Sequence, residues 1–126
     1  MVNPDEFKKE IKNRVLQNFS IEFLGDDFDD ICKKISDPRA KKIYDWIDKV
    51  LKNDIQPVLK ASNKNYKSWR LYELLTFVHK LEIKGSEYRI LFIKLKNSFY
   101  IEFHLGSHKY YDKLRSRLDL SNKNYQ

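Results

Sequence analysis

Histidine and arginine side chains in the second half of the chain can carry proton-transfer or phosphate chemistry. His104 and His108 are two of its three histidines, and an imidazole can act as a general acid or base near neutral pH. Arg89 lies in an apolar run, and a guanidinium can hold a phosphate through two parallel hydrogen bonds. Each has a structural alternative, because either imidazole can be structural and Arg89 can pair with Glu82 or Glu102 across a sheet. The residue types alone leave both interpretations open.

Two tyrosines follow the histidines and can stack on a base or orient a phosphate. Tyr111 precedes leucines three and seven positions further on, which is the spacing of a buried helix stripe. We therefore expect Tyr111 to be a core residue and Tyr110 to be the freer of the two. Glu82 or Glu102 can serve as a general base if its surroundings raise its pKa, and the pattern does not choose between them.

The remaining reactive residue types favour structural roles. Three histidines without cysteine partners do not form a zinc site, and the acidic cluster at 26–30 lacks the alternating ligands of a calcium loop. We expect helix capping there and no metal or cofactor. Cys32 is the one cysteine, so no internal disulfide is possible, and we expect a buried thiol. His79 is expected to be structural or exposed.

Positive charge is concentrated in the second half of the chain. Residues 1–59 contain 11 Lys and Arg against 12 Asp and Glu, whereas residues 60–126 contain 14 against 6. This asymmetry favours a polyanionic partner such as RNA, although a solvated surface or an acidic protein partner fits the same charges. The basic residues expected to attract a nucleic-acid backbone are Lys84, Lys94, Lys96, Lys109, Lys113, Arg115 and Arg117.

The first half of the chain reads as helices around one short strand. Apolar residues at i, i+4 spacing predict a helix over 4–19, with Asn3 as its cap and a proline next. A strand at 20–24 ends at Gly25. A second helix carries an apolar face from Phe28 to Ile35, and a third begins after Asp37 as its cap and ends near Asn53.

The second half changes to strand periodicity. We interpret residues 53–68 as a connector. Residues 69–78 fit either a helix or the beginning of a strand, and we favour a short helix or irregular segment. Alternating apolar residues from 79 to 105 then predict three antiparallel strands with turns at 84–87 and 96–98. A last helix is expected over about 108–118 after a break at Gly106-Ser107. The predicted fold class is α+β, with N-terminal helices, an antiparallel β-meander and a closing C-terminal helix.

This order of elements resembles the RelE/ParE superfamily of toxin–antitoxin toxins. Residues 80–92 look like the family's hairpin, in which a short turn leads into a central strand, here Tyr88-Arg89-Ile90-Leu91-Phe92. The segment 104–111 resembles the polar break and the early tyrosines that follow. The resemblance implies one RelE-like domain over 1–120, with a helical extension at about 1–19 and a flexible tail at 121–126.

The resemblance implies a toxin that cuts mRNA without a metal or cofactor, with attack by the ribose 2′-OH on the adjacent phosphate. It implies that an antitoxin protein silences it. The site residues carried over are Arg89, His108, His104, Tyr110, Tyr111 and Glu82, with Arg89 as the phosphate clamp. The alternatives are a ParE-like non-nuclease toxin or inactive relative, and a non-catalytic nucleic-acid-binding protein. With no signal peptide, lipidation motif or membrane-length apolar run, we expect a cytoplasmic protein without membrane contact.

Overall fold

The computed structural model describes residues 2–66, 69–118 and 120, with side chains described outside 59–72. These residues form an α+β fold, as predicted. None of the helices in this part of the chain is long and apolar enough to cross a membrane. The elements are α1 (Pro4–Arg14), β1 (Ser20–Leu24), α2 (Phe28–Cys32), α3 (Asp37–Leu51), β2 (Leu59–Tyr66), β3 (Trp69–Ile83), β4 (Ser86–Leu95), β5 (Tyr100–Ser107) and α4 (His108–Arg117).

One mixed sheet joins all the described strands in the order β1-β5-β4-β3-β2. The last four strands along the chain run antiparallel, and β1 pairs parallel with β5, so that Ser20 faces Tyr100 and Leu24 faces His104. The predicted three-stranded meander is therefore confirmed, with β2 as an additional strand at one edge. The predicted early strand closes the other edge.

Two predictions for residues 53–78 are wrong. The expected connector contains β2, and the expected helix or irregular segment at 69–78 is the first part of the long strand β3. Both faces of the sheet are covered at this point, because Leu74 packs on one side and Phe77 on the other. Apolar residues on both faces of a strand fall at neighbouring positions, which imitates the spacing of a helix.

The helix boundaries differ from the predicted ones for local reasons. The Asn3 side chain caps α1 by accepting from the backbone N–H of Asp5 and Glu6 at 2.9 and 3.2 Å, as expected. The helix ends at Arg14 and not at residue 19, because the extended backbone of Val15 leads the chain towards β1. Ser36, one residue before the predicted cap, caps α3 through its hydroxyl.

The three N-terminal helices cover the first face of the sheet. Phe7 of α1 and Phe103 of β5 are both fully buried, with ring centres 6.0 Å apart. Phe28 of α2 and Phe23 of β1 complete the aromatic cluster around Phe103, at 6.3 and 5.7 Å. The helix predicted as an extension therefore contributes directly to the main core.

The second face of the sheet is covered by α4. Leu114 of that helix is 1% exposed and packs among leucines and isoleucines of β3 and β4. Phe99 precedes β5 and is 59% exposed. Gly106 and Ser107 do not break β5, which continues to Ser107, the cap of α4.

The β3–β4 hairpin has the predicted turn. Lys84 and Gly85 both have positive φ, 50° and 84°, and Ile83 pairs directly with Ser86. Positive φ at both central residues is the property of a two-residue type I′ turn, in which glycine is favoured at the second position. The hairpin places Lys84 at one end of the sheet.

Cys32 is a core residue, as expected. It is fully buried, and burial, reinforced by the charge of Asp29, raises the pKa of its thiol to about 12. A thiol with so high a pKa is protonated at neutral pH and is a poor nucleophile.

We expect His79 to make the stability of the fold depend on pH. Its ring lies 5.2 Å from Trp46, and burial, assisted by the charge of Arg39, lowers its pKa from 6.5. The unfolded chain therefore binds more protons in the acid range, and the free energy of unfolding should fall as the pH decreases below about 6.5. Urea denaturation at pH 7.5 and 5.5 should show a smaller pH effect in His79→Phe. The exposed His108→Gln serves as control, and an unchanged pH effect in His79→Phe would contradict this assignment.

Candidate functional site

The second face of the sheet, under the start of α4, brings most of the predicted site residues together. Strand alternation places Glu102 and His104 of β5 on this face, and the β4–β5 register places Arg89 there, opposite Gly106. Tyr110 of α4 packs on His104, with ring centres 5.9 Å apart. We call this group, completed by Tyr100 and Tyr111, the α4-face site.

A chain of hydrogen bonds runs through the α4-face site. The Tyr100 hydroxyl donates to Glu102 Oε2 at 2.5 Å, and Glu102 Oε1 lies 2.8 Å from His104 Nε2. His104 Nδ1 lies 2.7 Å from the hydroxyl of Tyr110. A carboxylate only accepts, so His104 carries its proton on Nε2 and Nδ1 is free to accept from Tyr110. A carboxylate that orients an imidazole, which in turn contacts a hydroxyl, is an arrangement suited to proton transfer.

Tyr110 is the accessible end of this chain. Glu102 and His104 are 1% and 2% exposed, whereas Tyr110 is only half-buried. Burial raises the pKa of Tyr110; Arg117 opposes this, and Asp26 and Glu102 add to it. The phenol therefore stays protonated at neutral pH. Among the described groups of this hydrogen-bond chain, Tyr110 is therefore the one that a substrate can contact. Tyr110, expected to be the freer of the two tyrosines, is half-buried like Tyr111, because α4 turns its hydroxyl towards His104.

Arg89 lies beside this hydrogen-bond chain, and its side chain is largely buried. Its side chain is 8% exposed, and the guanidinium carbon lies 5.6 Å from the ring centre of Tyr111. Its Nη1 donates to the backbone oxygen of Tyr88 at 3.3 Å, and its Nη2 lies 3.6 Å from the carboxylate of Glu87. The suggested pairing with Glu82 or Glu102 is replaced by Glu87. The guanidinium remains a fixed positive charge on this face.

His108 and Glu82 do not join the hydrogen-bond chain. His108 is 46% exposed in the first turn of α4, where its Nδ1 lies 3.1 Å from Asp112. Its ring centre is 5.9 Å from that of Tyr111, so it borders the site on the solvent side. Glu82 is exposed and stands opposite Glu87 in the β3–β4 register. Glu82 lies at the edge of the α4-face site and forms no contact with the hydrogen-bonded residues Tyr100, Glu102, His104 and Tyr110.

The predicted basic residues fall into separate groups. Lys109, Lys113 and Arg115 lie on α4, beside the site. Lys84 is at the β3–β4 turn. Lys94 lies over the Phe19 ring at 5.4 Å on the first face, and Lys96, at the β4–β5 turn, pairs with Glu73 at 3.3 Å. The basic surface is therefore centred on α4 and the hairpin, and the last two lysines are distant from it along the strands.

Two residues that sequence reasoning did not select also build the site. Tyr100 was recognised only as sharing a face with Glu102 and His104, and that alternation was a usable signal. Asp26 was interpreted as a helix cap, but its carboxylate accepts from the backbone N–H and hydroxyl of Ser107 at 3.2 and 3.1 Å. Since the Ser107 hydroxyl caps α4, Asp26 fixes the start of the helix that carries Tyr110.

Gly106 is expected to be required for this arrangement. A Cβ at this position would lie 2.6 Å from both Asp26 Oδ1 and Tyr110 Cδ1. The substitution Gly106→Ala should displace the start of α4, break the bond between Tyr110 and His104, and lower the free energy of unfolding by about 1–3 kcal/mol. Urea denaturation provides the measurement. Gly85→Asn is the control for replacing a glycine in open space. No atom outside the adjacent residues lies within 4 Å of its Cβ, so this variant carries only the backbone strain of positive φ, which Asn tolerates better than most residues. Equal stability of the two variants would contradict the prediction.

Comparisons with protein-family models, with curated proteins and with solved structures found no match for this chain. Within the described residues, no group of three or more His, Cys, Asp or Glu side chains is placed to hold a metal ion.

Proposed function

We propose that this protein is a metal-independent endoribonuclease, acting as a toxin of the RelE/ParE kind on mRNA in the cytoplasm. The observation that carries the proposal is the α4-face site, in which a carboxylate–imidazole–phenol chain lies on the same face as Arg89. The positive charge of α4 supports it, because four basic residues stand against one Asp between His108 and Arg117. The order of elements that suggested the resemblance is also consistent with it.

In the proposed reaction, Tyr110 takes the proton of the attacking ribose 2′-OH and passes its own proton to His104 Nδ1. Glu102 then stabilises the imidazolium through Nε2. The 2′-oxygen forms a bond to phosphorus as the bond from phosphorus to the 5′-oxygen breaks, which gives a 2′,3′-cyclic phosphate and a 5′-hydroxyl. His108, exposed at the edge of the site, protonates the leaving 5′-oxygen.

Arg89 offsets the charge that develops on the phosphoryl oxygens in this scheme. Because the Tyr111 ring covers the guanidinium, RNA binding has to move that ring aside, and Tyr111 is then free to stack on a base. The basic residues of α4 hold the flanking RNA backbone. An acidic antitoxin polypeptide lying along α4 would neutralise these charges and, at the same time, block access to Tyr110.

A second candidate, non-catalytic nucleic-acid binding, is favoured by the burial of Glu102 and His104. A fully hydrogen-bonded polar chain under a helix also serves to fix that helix in one position. In this case the basic surface would bind RNA or DNA with a steep dependence on salt, and leave it intact.

The test is controlled expression in bacteria of the wild type, Arg89→Ala and His108→Ala, with growth recorded and mRNA ends mapped by primer extension. We expect growth arrest with new mRNA ends, relieved by Arg89→Ala. Because Arg89 is enclosed, circular dichroism of each purified variant must show a folded chain. Arrest without cuts would redirect the search to a non-nuclease target. The absence of arrest with abundant folded protein would favour the binding function or an inactive relative.

A further inference from the structure

A small cavity lies at the β3–β4 hairpin on the opposite face of the sheet from the α4-face site. It has a volume of about 200 Å³ and is lined by Lys34, Ile83, Lys84, Ser86 and Tyr88. We call it the hairpin pocket. Lys34 comes from the segment after α2, and the other four residues come from the hairpin itself. Nothing in the proposed reaction uses these side chains.

The polar groups of the hairpin pocket are suited to an anion. Lys34 Nζ donates to the hydroxyl of Tyr88 at 3.2 Å, so this ammonium has a neutral partner there. In the described part of the chain, neither Lys34 nor Lys84 forms an ion pair with a carboxylate. The hydroxyls of Ser86 and Tyr88 add two further donors. Two ammonium groups and two hydroxyls around one concavity match the oxygen atoms of a phosphate.

The apolar groups of the same pocket are suited to a flat ring. Ile83 and Tyr88 are only partly buried, and both pack against the edge of the main core. Lys34 Nζ lies 3.2 Å from the Tyr88 hydroxyl and 5.6 Å from the ring centre, so it stands beyond the hydroxyl end of the ring and does not cover a ring face. The Tyr88 ring, which lines the pocket, can therefore serve as a stacking surface for a base. A phosphate beside a stacking surface is the signature of a nucleotide.

The hairpin pocket and the α4-face site lie on successive residues of one strand. The side chains of Tyr88 and Arg89 project from opposite faces of β4, close to its first residue. A single RNA strand that crosses this end of the sheet can therefore contact Arg89 on one face and Tyr88 on the other. Lys84, at the tip of the hairpin, stands between the two faces.

We propose that the hairpin pocket is a second RNA subsite, which binds the phosphate of a flanking nucleotide between Lys34 and Lys84 and stacks its base on Tyr88. This inference rests on the proposed function for its choice of RNA as ligand. It extends the contact surface from the cleaved phosphate to a neighbouring nucleotide, and it requires no change in the chemistry.

The test is fluorescence anisotropy with a labelled single-stranded RNA that carries 2′-O-methyl groups throughout, which prevents cleavage by 2′-OH attack. The pocket variant is Lys34→Ala/Lys84→Asn, in which Asn retains the positive φ of the turn. The control variant, Lys9→Ala/Lys49→Ala, removes two charges from exposed helix positions. Titrations between 50 and 200 mM salt should give the pocket variant a slope of log K against log salt shallower by roughly 0.7, the change for one lost phosphate contact on a single strand.

Affinity at 0.1 M salt should fall on the order of tenfold in the pocket variant and much less in the control variant. Tyr88→Leu should weaken binding by about tenfold without changing the slope, because stacking involves no counterion release. Equal slopes and affinities in the pocket and control variants would overturn the subsite, and so would a wild type that does not bind RNA. Cleavage of unmodified RNA is scored separately, so a wild type that binds through the pocket without cutting would contradict only the proposed function.

Discussion

Tyr110→Phe should reduce the rate of RNA cleavage by about 10²-fold or more while leaving RNA affinity nearly unchanged. The substitution removes one oxygen atom, which is the only link between a substrate and the buried His104 in the proposed reaction. Proton transfer by a positioned side chain contributes about 10²–10⁴-fold to a rate. Single-turnover cleavage of a short RNA, with substrate and variant concentrations above the dissociation constant, measures the chemical step directly.

Tyr111→Phe is the matched control for this prediction. It also removes one tyrosine hydroxyl from the same turn of α4, but it retains the ring over Arg89. We expect a cleavage rate close to that of the wild type. Loss of the Tyr110 hydroxyl leaves Nδ1 of the buried His104 without its partner, so the free energy of unfolding should also fall by about 1–3 kcal/mol. If Tyr110→Phe cuts RNA at the wild-type rate, Tyr110 has no part in proton transfer.

Phe103→Ala should lower the free energy of unfolding by about 3–5 kcal/mol, the range for truncating a fully buried Phe. Phe103 is 0% exposed and lies where α1, α2 and β1 meet β5. Its ring contacts Phe7, Phe23 and Phe28, so no single neighbour can move to fill the cavity without losing its other contacts. Chemical denaturation followed by intrinsic fluorescence gives the value.

Phe99→Ala is the control for the core prediction. Phe99 stands just before the same strand and is 59% exposed, with one edge contact to Phe19 at 5.3 Å. Its truncation should cost less than about 1 kcal/mol, because most of the ring is already in water. A similar loss of stability in both variants would show that the cluster around Phe103 does not dominate the core.

The sequence predicted the elements in which local patterns and tertiary burial agree. The cap of α1, the apolar face of α2 and the Lys84-Gly85 turn depend on neighbouring residues, and all three are confirmed. The prediction of a helix or irregular segment over residues 69–78 is wrong because β3 is covered on both faces there. Periodicity distinguishes a helix from a half-buried strand, but it cannot distinguish a helix from a strand with two buried faces.

The candidate site was predictable as a set of residues but not as a geometry. Alternation along β5 placed Tyr100, Glu102 and His104 on one face. The bond between His104 and Tyr110 depends on the angle at which the chain leaves β5 for α4. That angle is fixed by Ser107 with Asp26, a residue distant in sequence. A tertiary contact of this kind has no local signature, which is why the sequence did not predict the bond between Tyr110 and His104.

The parallel pairing of β1 with β5 has a consequence for the timing of folding. β1 is among the first elements to be synthesised, yet Ser20 has its register partner in Tyr100, close to the end of the sheet's synthesis. Until β5 leaves the ribosome, the apolar faces of α1, α2 and α3 have no complete sheet to cover. Contacts that join such distant segments slow folding and prolong the exposure of apolar surface to chaperones. Arg89, His104 and Tyr110 come from β4, β5 and α4, so the α4-face site cannot assemble before these three elements have been synthesised.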